Sequence, residues 1–298
     1  MLTSFRGLTA TLLAGSALAA TPAFAAHDAA ETPPVDPGSD IVEFTSAAVM
    51  AGDVAIAAQD DAVLVDLERD VLVPGEEASS GGGESGIEIS GNVSLVSDYR
   101  FRGVSFSDGD PALQGGMDLT HSSGFYVGTW ASSISGGTPF GEVELDVYGG
   151  WSGDVSDGVT VDVGLLYYIY PTGDFPGIDT DYFEPYASIG TTLGPVGAEL
   201  GVAYAWEQDS LGGGDNFYIY SDFEFGIPNT PVSLTAHVGY TDGVFATQAD
   251  GDSFDWGLGA SYAVTDNLSL GVNYVDTQGP SIEDFTDAGI FASITYSM

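Results

Sequence analysis

The chain has 298 residues, no cysteine, and 44 acidic against 4 basic side chains, for a formal net charge of −40. Disulfides and a lipid-modified cysteine are excluded, and so is nucleic-acid binding through phosphate contacts, which needs Lys and Arg. Mean hydropathy is still slightly positive, at +0.13, so the acidity is set into an apolar chain.

The first predicted element is an export signal. Arg6 supplies the positive end, Leu8 to Ala20 form an apolar run, and Ala23-Phe24-Ala25 gives an A-x-A site, with the cut placed after Ala25. The run is too short for a membrane anchor, which needs about 20 apolar residues. Residues 26–86 then read as an acidic Pro/Ala/Gly-rich periplasmic extension, with Pro33-Pro34, Pro37-Gly38 and the glycine hinge Gly81-Gly82-Gly83. The segment is too poor in aromatics to offset its ordering entropy. Only 62–73 has enough apolar residues for a short helix or strand, and a plug folded into the remainder is a second option.

From Ile87 onward, segments with an apolar residue at every second position recur about a dozen times. They are expected at 88–104, 111–121, 124–134, 141–151, 159–170, 181–192, 196–207, 215–226, 231–241, 253–263, 267–277 and 287–298. In the seventh, Val196, Ala198, Leu200, Val202, Tyr204 and Trp206 share one face, opposite Gly197, Glu199, Gly201, Ala203, Ala205 and Glu207. The connections alternate in length. Ser122-Ser123-Gly124, Gly194-Pro195 and Val264 to Asn267 are tight turns with the expected chemistry. Between them fall the longer, Asp- and Gly-rich stretches 105–110, 135–141, 171–180, 209–214, 242–252 and 278–286. Short and long connections in strict alternation imply two different sides, and about ten residues suffice for a strand to cross a bilayer. The fold expected is all-β: a membrane-spanning, antiparallel, up-and-down barrel of about twelve strands. A soluble sandwich also alternates, but would turn its acidic face to water.

Tyr204, Trp206, Tyr240, Trp256, Tyr262, Tyr274 and Tyr296 fall on the apolar face near strand ends, as interfacial aromatic girdles require. The last segment puts Ile290, Ala292, Ile294, Tyr296 and Met298 on one face and ends on Met, where such barrels usually close on Phe.

Ser97-Asp98-Tyr99-Arg100-Phe101-Arg102-Gly103-Val104-Ser105 resembles the opening motif of the TorF porin family, and Gly124 to Ser132 resembles the glycine–tryptophan motif that follows it. Glu144 to Gly150, Asp181 to Glu184 and Asp255-Trp256-Gly257 fit later positions, and Ser133 stands where Asn is expected. The resemblance covers 87–298 and none of 26–86. It implies an outer-membrane barrel with no defined substrate.

Carboxylates within strands are costly toward lipid and are expected to face the lumen. The candidates are Glu142, Glu144, Asp146, Asp162, Glu184, Glu199, Asp222, Glu224 and Asp255. Arg100 and Arg102, the sole Arg or Lys in 87–298, are spaced by two and so are expected on one strand face. They either set a field across a constriction opposite Glu142, Glu144 and Asp146 or neutralise lumen carboxylates. A single-sign lumen concentrates cations, so the expectation is a cation-preferring diffusion channel for small solutes, with salt adaptation as the competing origin of the acidity. The functional alternative is a non-conducting structural or adhesive barrel. Lipid, lipopolysaccharide and the barrel-assembly machinery are the expected partners. No cofactor and no enzyme activity are expected: His237, beside Ser233 and Thr235 on one face, is the best nucleophile–base pairing and reads as an ordinary lining residue. The loop acids Asp174, Asp179 and Asp181, Asp250 and Asp252, and Glu283, Asp284 and Asp287 lack the spacing of a calcium loop, and no metal site is expected.

Overall fold

The computed structural model describes residues 86–173, 177 and 179–298. The export signal, the extension before Gly86 with its 62–73 segment, and Asp174 lie outside the described residues.

Period-two patterning becomes strands because each can turn its apolar side outward and its small or polar side inward. The strands are β1 (Ile87–Val96), β2 (Arg100–Phe101), β3 (Val104–Ser105), β4 (Ala112–His121), β5 (Phe125–Ser133), β6 (Val143–Ser156), β7 (Val159–Ile169), β8 (Tyr182–Leu193), β9 (Val196–Ala205), β10 (Asn216–Gly226), β11 (Val232–Gly243), β12 (Asp252–Thr265), β13 (Leu268–Thr277) and β14 (Gly289–Ser297). Twelve of them close a barrel in which β1 pairs with both β4 and β14, every contact antiparallel. Closure leaves no exposed strand edge. The expected fold class is therefore the observed one.

Tight turns such as Asp157-Gly158 and Gly194-Pro195 gather at one end, together with the start of β1 and the end of β14. The six longer connections gather at the other. Ile89, Leu113, Val127, Leu200, Leu258, Val272 and Ile294 are among the exposed apolar side chains around the outside. At the loop end, outward tyrosines donate to neighbouring carboxylates: Tyr204 to Asp215 at 2.8 Å and Tyr274 to Asp276 at 3.0 Å. This is an interfacial arrangement, with the ring against apolar surface and the hydroxyl toward water.

One expectation fails at the start. The first strand was expected to run to 104, but β1 ends at Val96 and the chain bends inward. β2 and β3 then form a separate hairpin in which Phe101 pairs with Val104 around the two-residue turn Arg102-Gly103. Both turn residues have positive φ, 45° and 87°, which a two-residue hairpin of the type I′ class requires. Gly103 suits that geometry, whereas Arg102 adopts it against its intrinsic preference. Sequence alternation continues through the bend, so the pattern alone could not separate wall from hairpin. Arg100 and Arg102 therefore do not share the face of a wall strand.

Candidate functional site

The site is the barrel interior, built by the inward side chains of the twelve wall strands and by the hairpin that enters from the loop end, here called the tongue. Asp98 anchors its base, accepting from Arg100 Nε at 2.5 Å, Ser105 Oγ at 2.5 Å and Ser107 Oγ at 3.2 Å. Arg100 also donates to the backbone carbonyl of Asp287 and lies 3.4 Å from its carboxylate. Tyr99, Phe101 and Val104 are buried with Trp130, Tyr168, Tyr182, Leu211 and Phe245 in one cluster. Burying an aromatic or branched side chain stabilises by about 1.5–3 kcal/mol, so Phe101 and Val104 hold the tongue in place.

The side chain at the tip reaches the far wall. Arg102 Nη2 lies 3.0 Å from Glu184 Oε2 on β8, and its guanidinium carbon sits 4.0 Å from the centroid of the Tyr218 ring on β10. Counting round the barrel from β1, β8 is the fifth strand in one direction and β10 the fifth in the other, with β9 opposite. The tip backbone stays near β13, where a Cβ on Gly103 would meet Asp276 and Thr277, and the Arg102 side chain spans the lumen to the far wall. Burial opposes the Arg102 charge, but Glu184 together with Tyr168, Tyr218 and Tyr182 around it holds the guanidinium above the ordinary arginine value.

Below the tongue the lumen is acidic and rich in tyrosine. Tyr126 donates to Asp162 at 2.7 Å and meets the Tyr186 hydroxyl at 2.6 Å. Tyr148 donates to Asp118 at 2.6 Å, Tyr168 to Glu184 at 2.9 Å and Tyr220 to Glu199 at 3.1 Å. His237 is clamped between Asp222, 2.6 Å from Nδ1, and Asp255, 2.9 Å from Nε2. The Tyr218 hydroxyl also lies 2.9 Å from Nε2, so the ring ties β10 to β12 across β11.

Many inward tyrosines lie over inward glycines on a neighbouring strand. A Cβ at Gly164 would overlap the Tyr186 ring, one at Gly201 the Tyr220 ring, and one at Gly150 would stand 2.6 Å from the Tyr126 hydroxyl. These pairs are direct cross-strand neighbours. The absence of a side chain at glycine lets the ring lie flat on the wall, which leaves room in a lumen that holds so many aromatics.

Of the candidate lumen residues, Glu144, Asp146, Asp162, Glu184 and Asp255 are inward and nearly fully buried, and Glu199, Asp222 and Glu224 are inward and half-buried. Glu142 is not a lumen residue. It precedes β6 on an exposed turn whose backbone is held by Thr172, because Gly141, with φ of 74°, redirects the chain before the strand begins. The arginines do not face the Glu142, Glu144 and Asp146 row as a pair: Arg102 meets Glu184, and Arg100 stays at the tongue base. Asp179, Asp250, Glu283 and Asp284 are exposed at the loop end. Sequence reasoning missed Asp98, Asp118 and the inward tyrosines. Their signal was the tyrosine–glycine pairing on the inward positions of adjacent strands.

A closed antiparallel barrel, apolar outside and acidic inside, defines a membrane-spanning barrel of the outer-membrane type. Residues 80–295 match the family described as "Bacterial protein of unknown function (Gcw_chp)", and the chain belongs to that family. No curated protein matches. Among solved structures, the NanC porin in a rhombohedral crystal form is 12% identical, with 71% of this chain and 99% of that chain covered at a TM-score of 0.49. The KdgM porin is 8% identical, with 70% and 99% covered at a TM-score of 0.49. The COG4313 outer membrane channel from Pseudomonas putida F1 is 12% identical, with 75% and 98% covered at a TM-score of 0.41.

Proposed function

We propose that the chain is an outer-membrane, porin-like diffusion channel for small solutes, cation-preferring and gated by its tongue. The observation that carries this is the sign of the lumen. Asp118, Glu144, Asp146, Asp162, Glu184, Glu199, Asp222, Glu224 and Asp255 line it, while Arg102 and His237 are its inward basic side chains among the described residues and each already faces carboxylates. In a narrow, low-dielectric passage such an excess draws in cations and repels anions. The resemblance to the TorF porin family supports the outer-membrane barrel in this reading. On it, the N-terminal signal delivers the chain across the inner membrane, the assembly machinery inserts it, and lipid and lipopolysaccharide surround it.

The crossing of the lumen by the Arg102 side chain favours a second reading, a barrel that does not conduct. Single-channel recording of the refolded chain separates them, with residues 99–106 replaced by a short Gly-Ser bridge in a second variant. A gated channel gives small or infrequent steps in the wild type and larger, persistent ones in the variant. Silence in both would establish the structural reading.

A further inference from the structure

We propose that Glu184, Tyr168 and Tyr218 form a binding site for guanidinium and alkylammonium solutes, occupied at rest by the chain's own Arg102. Three features of the wall make it a cation cage in its own right. Glu184 offers both carboxylate oxygens, at 3.2 and 3.0 Å from Arg102 Nη2. Tyr168 donates to Glu184 at 2.9 Å and fixes its orientation. Tyr218 presents a ring face 4.0 Å from the guanidinium carbon, while its hydroxyl is held by Asp255 at 3.1 Å. Carboxylate chelation with an aromatic face is the general recipe for planar organic cations.

The group now in the cage is tethered from the opposite side of the barrel. It is carried on a turn residue with φ of 45°, a conformation a non-glycine side chain enters against its preference. The wall supplies the recognition and the tongue only supplies an occupant. A free solute with the same head group competes for the same contacts, and when it wins the tongue loses its far anchor. Competition from a tethered group acts like millimolar ligand. The free cation therefore has to exceed that concentration in the wild type but not in a chain lacking the arginine side chain.

This inference deepens the channel reading and rests on it for its physiological meaning, but its test does not need conductance. The full chain is refolded in detergent as wild type, Arg102→Ala and Arg102→Ala with Glu184→Gln. The thermal transition is followed with methylguanidinium chloride or an equal concentration of potassium chloride. Methylguanidinium is expected to raise the transition of Arg102→Ala by at least about 2 °C beyond potassium, and to leave the double variant unmoved. Its half-effect is expected at a concentration at least about tenfold below that needed in the wild type. Equal shifts in the two variants, or none in Arg102→Ala, would overturn the cage.

Should Arg102→Ala not fold, the wild type answers through trypsin. Arg100 and Arg102 are the sole tryptic positions in 86–298, so cleavage there reports the tongue directly. Methylguanidinium is expected to accelerate that cleavage relative to a small arginyl substrate in the same solution, and no acceleration would refute displacement. Methylguanidinium stabilisation without conductance keeps the cage and loses the channel. Conductance without that stabilisation does the reverse.

Discussion

Gly164→Ala is the smallest perturbation that tests how the lumen is built. The new methyl group would overlap the Tyr186 ring directly across from it on β8. Tyr186 cannot retreat without breaking its 2.6 Å contact with the Tyr126 hydroxyl, which in turn donates to Asp162 at 2.7 Å. Overpacking a tight contact costs about 1–3 kcal/mol, and losing a buried hydrogen bond adds about 1 kcal/mol, so the expected loss is about 2–4 kcal/mol. Gly190→Ala is the matched control. It is also inward on a wall strand, but its nearest neighbour to an added Cβ is the Ala198 carbonyl oxygen at 4.0 Å. Its cost should stay below about 0.5 kcal/mol. Urea unfolding in detergent, read by gel-shift of the heat-modifiable barrel, measures both. In a Tyr186→Ala background the Gly164→Ala penalty should fall by more than half, because the overlap is gone. Equal costs for the two glycine variants, or an undiminished penalty in that background, would refute the account of rings seated on glycines.

Further outcomes follow from the charged contacts. His237→Ala removes the ring that Asp222 and Asp255 both face, and should cost about 3–5 kcal/mol by urea titration; a loss under about 1 kcal/mol would mean the ring does not tie these strands. Asp98→Asn weakens three bonds at the tongue base and should raise the tryptic cleavage rate at Arg100 and Arg102 several-fold with little change in the unfolding midpoint. Unaltered cleavage would show that Asp98 does not hold the tongue. Glu199→Gln together with Asp222→Asn should lower the cation-to-anion permeability ratio, since both are inward and half-exposed, and an unchanged ratio would remove them from the conduction path.

The wall was legible in the sequence because lipid outside and water inside impose opposite demands on alternate residues. Segment 196–207 shows this: along β9 Leu200 and Tyr204 are exposed while Gly201, Ala203 and Ala205 are buried, as the two faces require, and Trp206 is exposed just past its end. The inside was harder to read for two physical reasons. Tyrosine suits both an interfacial girdle and a polar lumen, so Tyr126, Tyr186 and Tyr220 carry no sign of direction until their cross-strand glycines are known. The tongue kept a strand-like alternation, and what turned it inward was the Arg102-Gly103 turn together with burial of Phe101 and Val104, contacts distant in sequence. Period alone puts Glu142 on the inward face, whereas Gly141 ends that period one residue earlier.

The most direct test of the central claim is the reversal potential of the tongue-shortened chain in a planar bilayer across a tenfold potassium chloride gradient. An acidic lumen whose inward basic groups already face carboxylates predicts a potential of the sign set by potassium, which shrinks toward zero as salt rises and screens the wall. A potential of the sign set by chloride would contradict it.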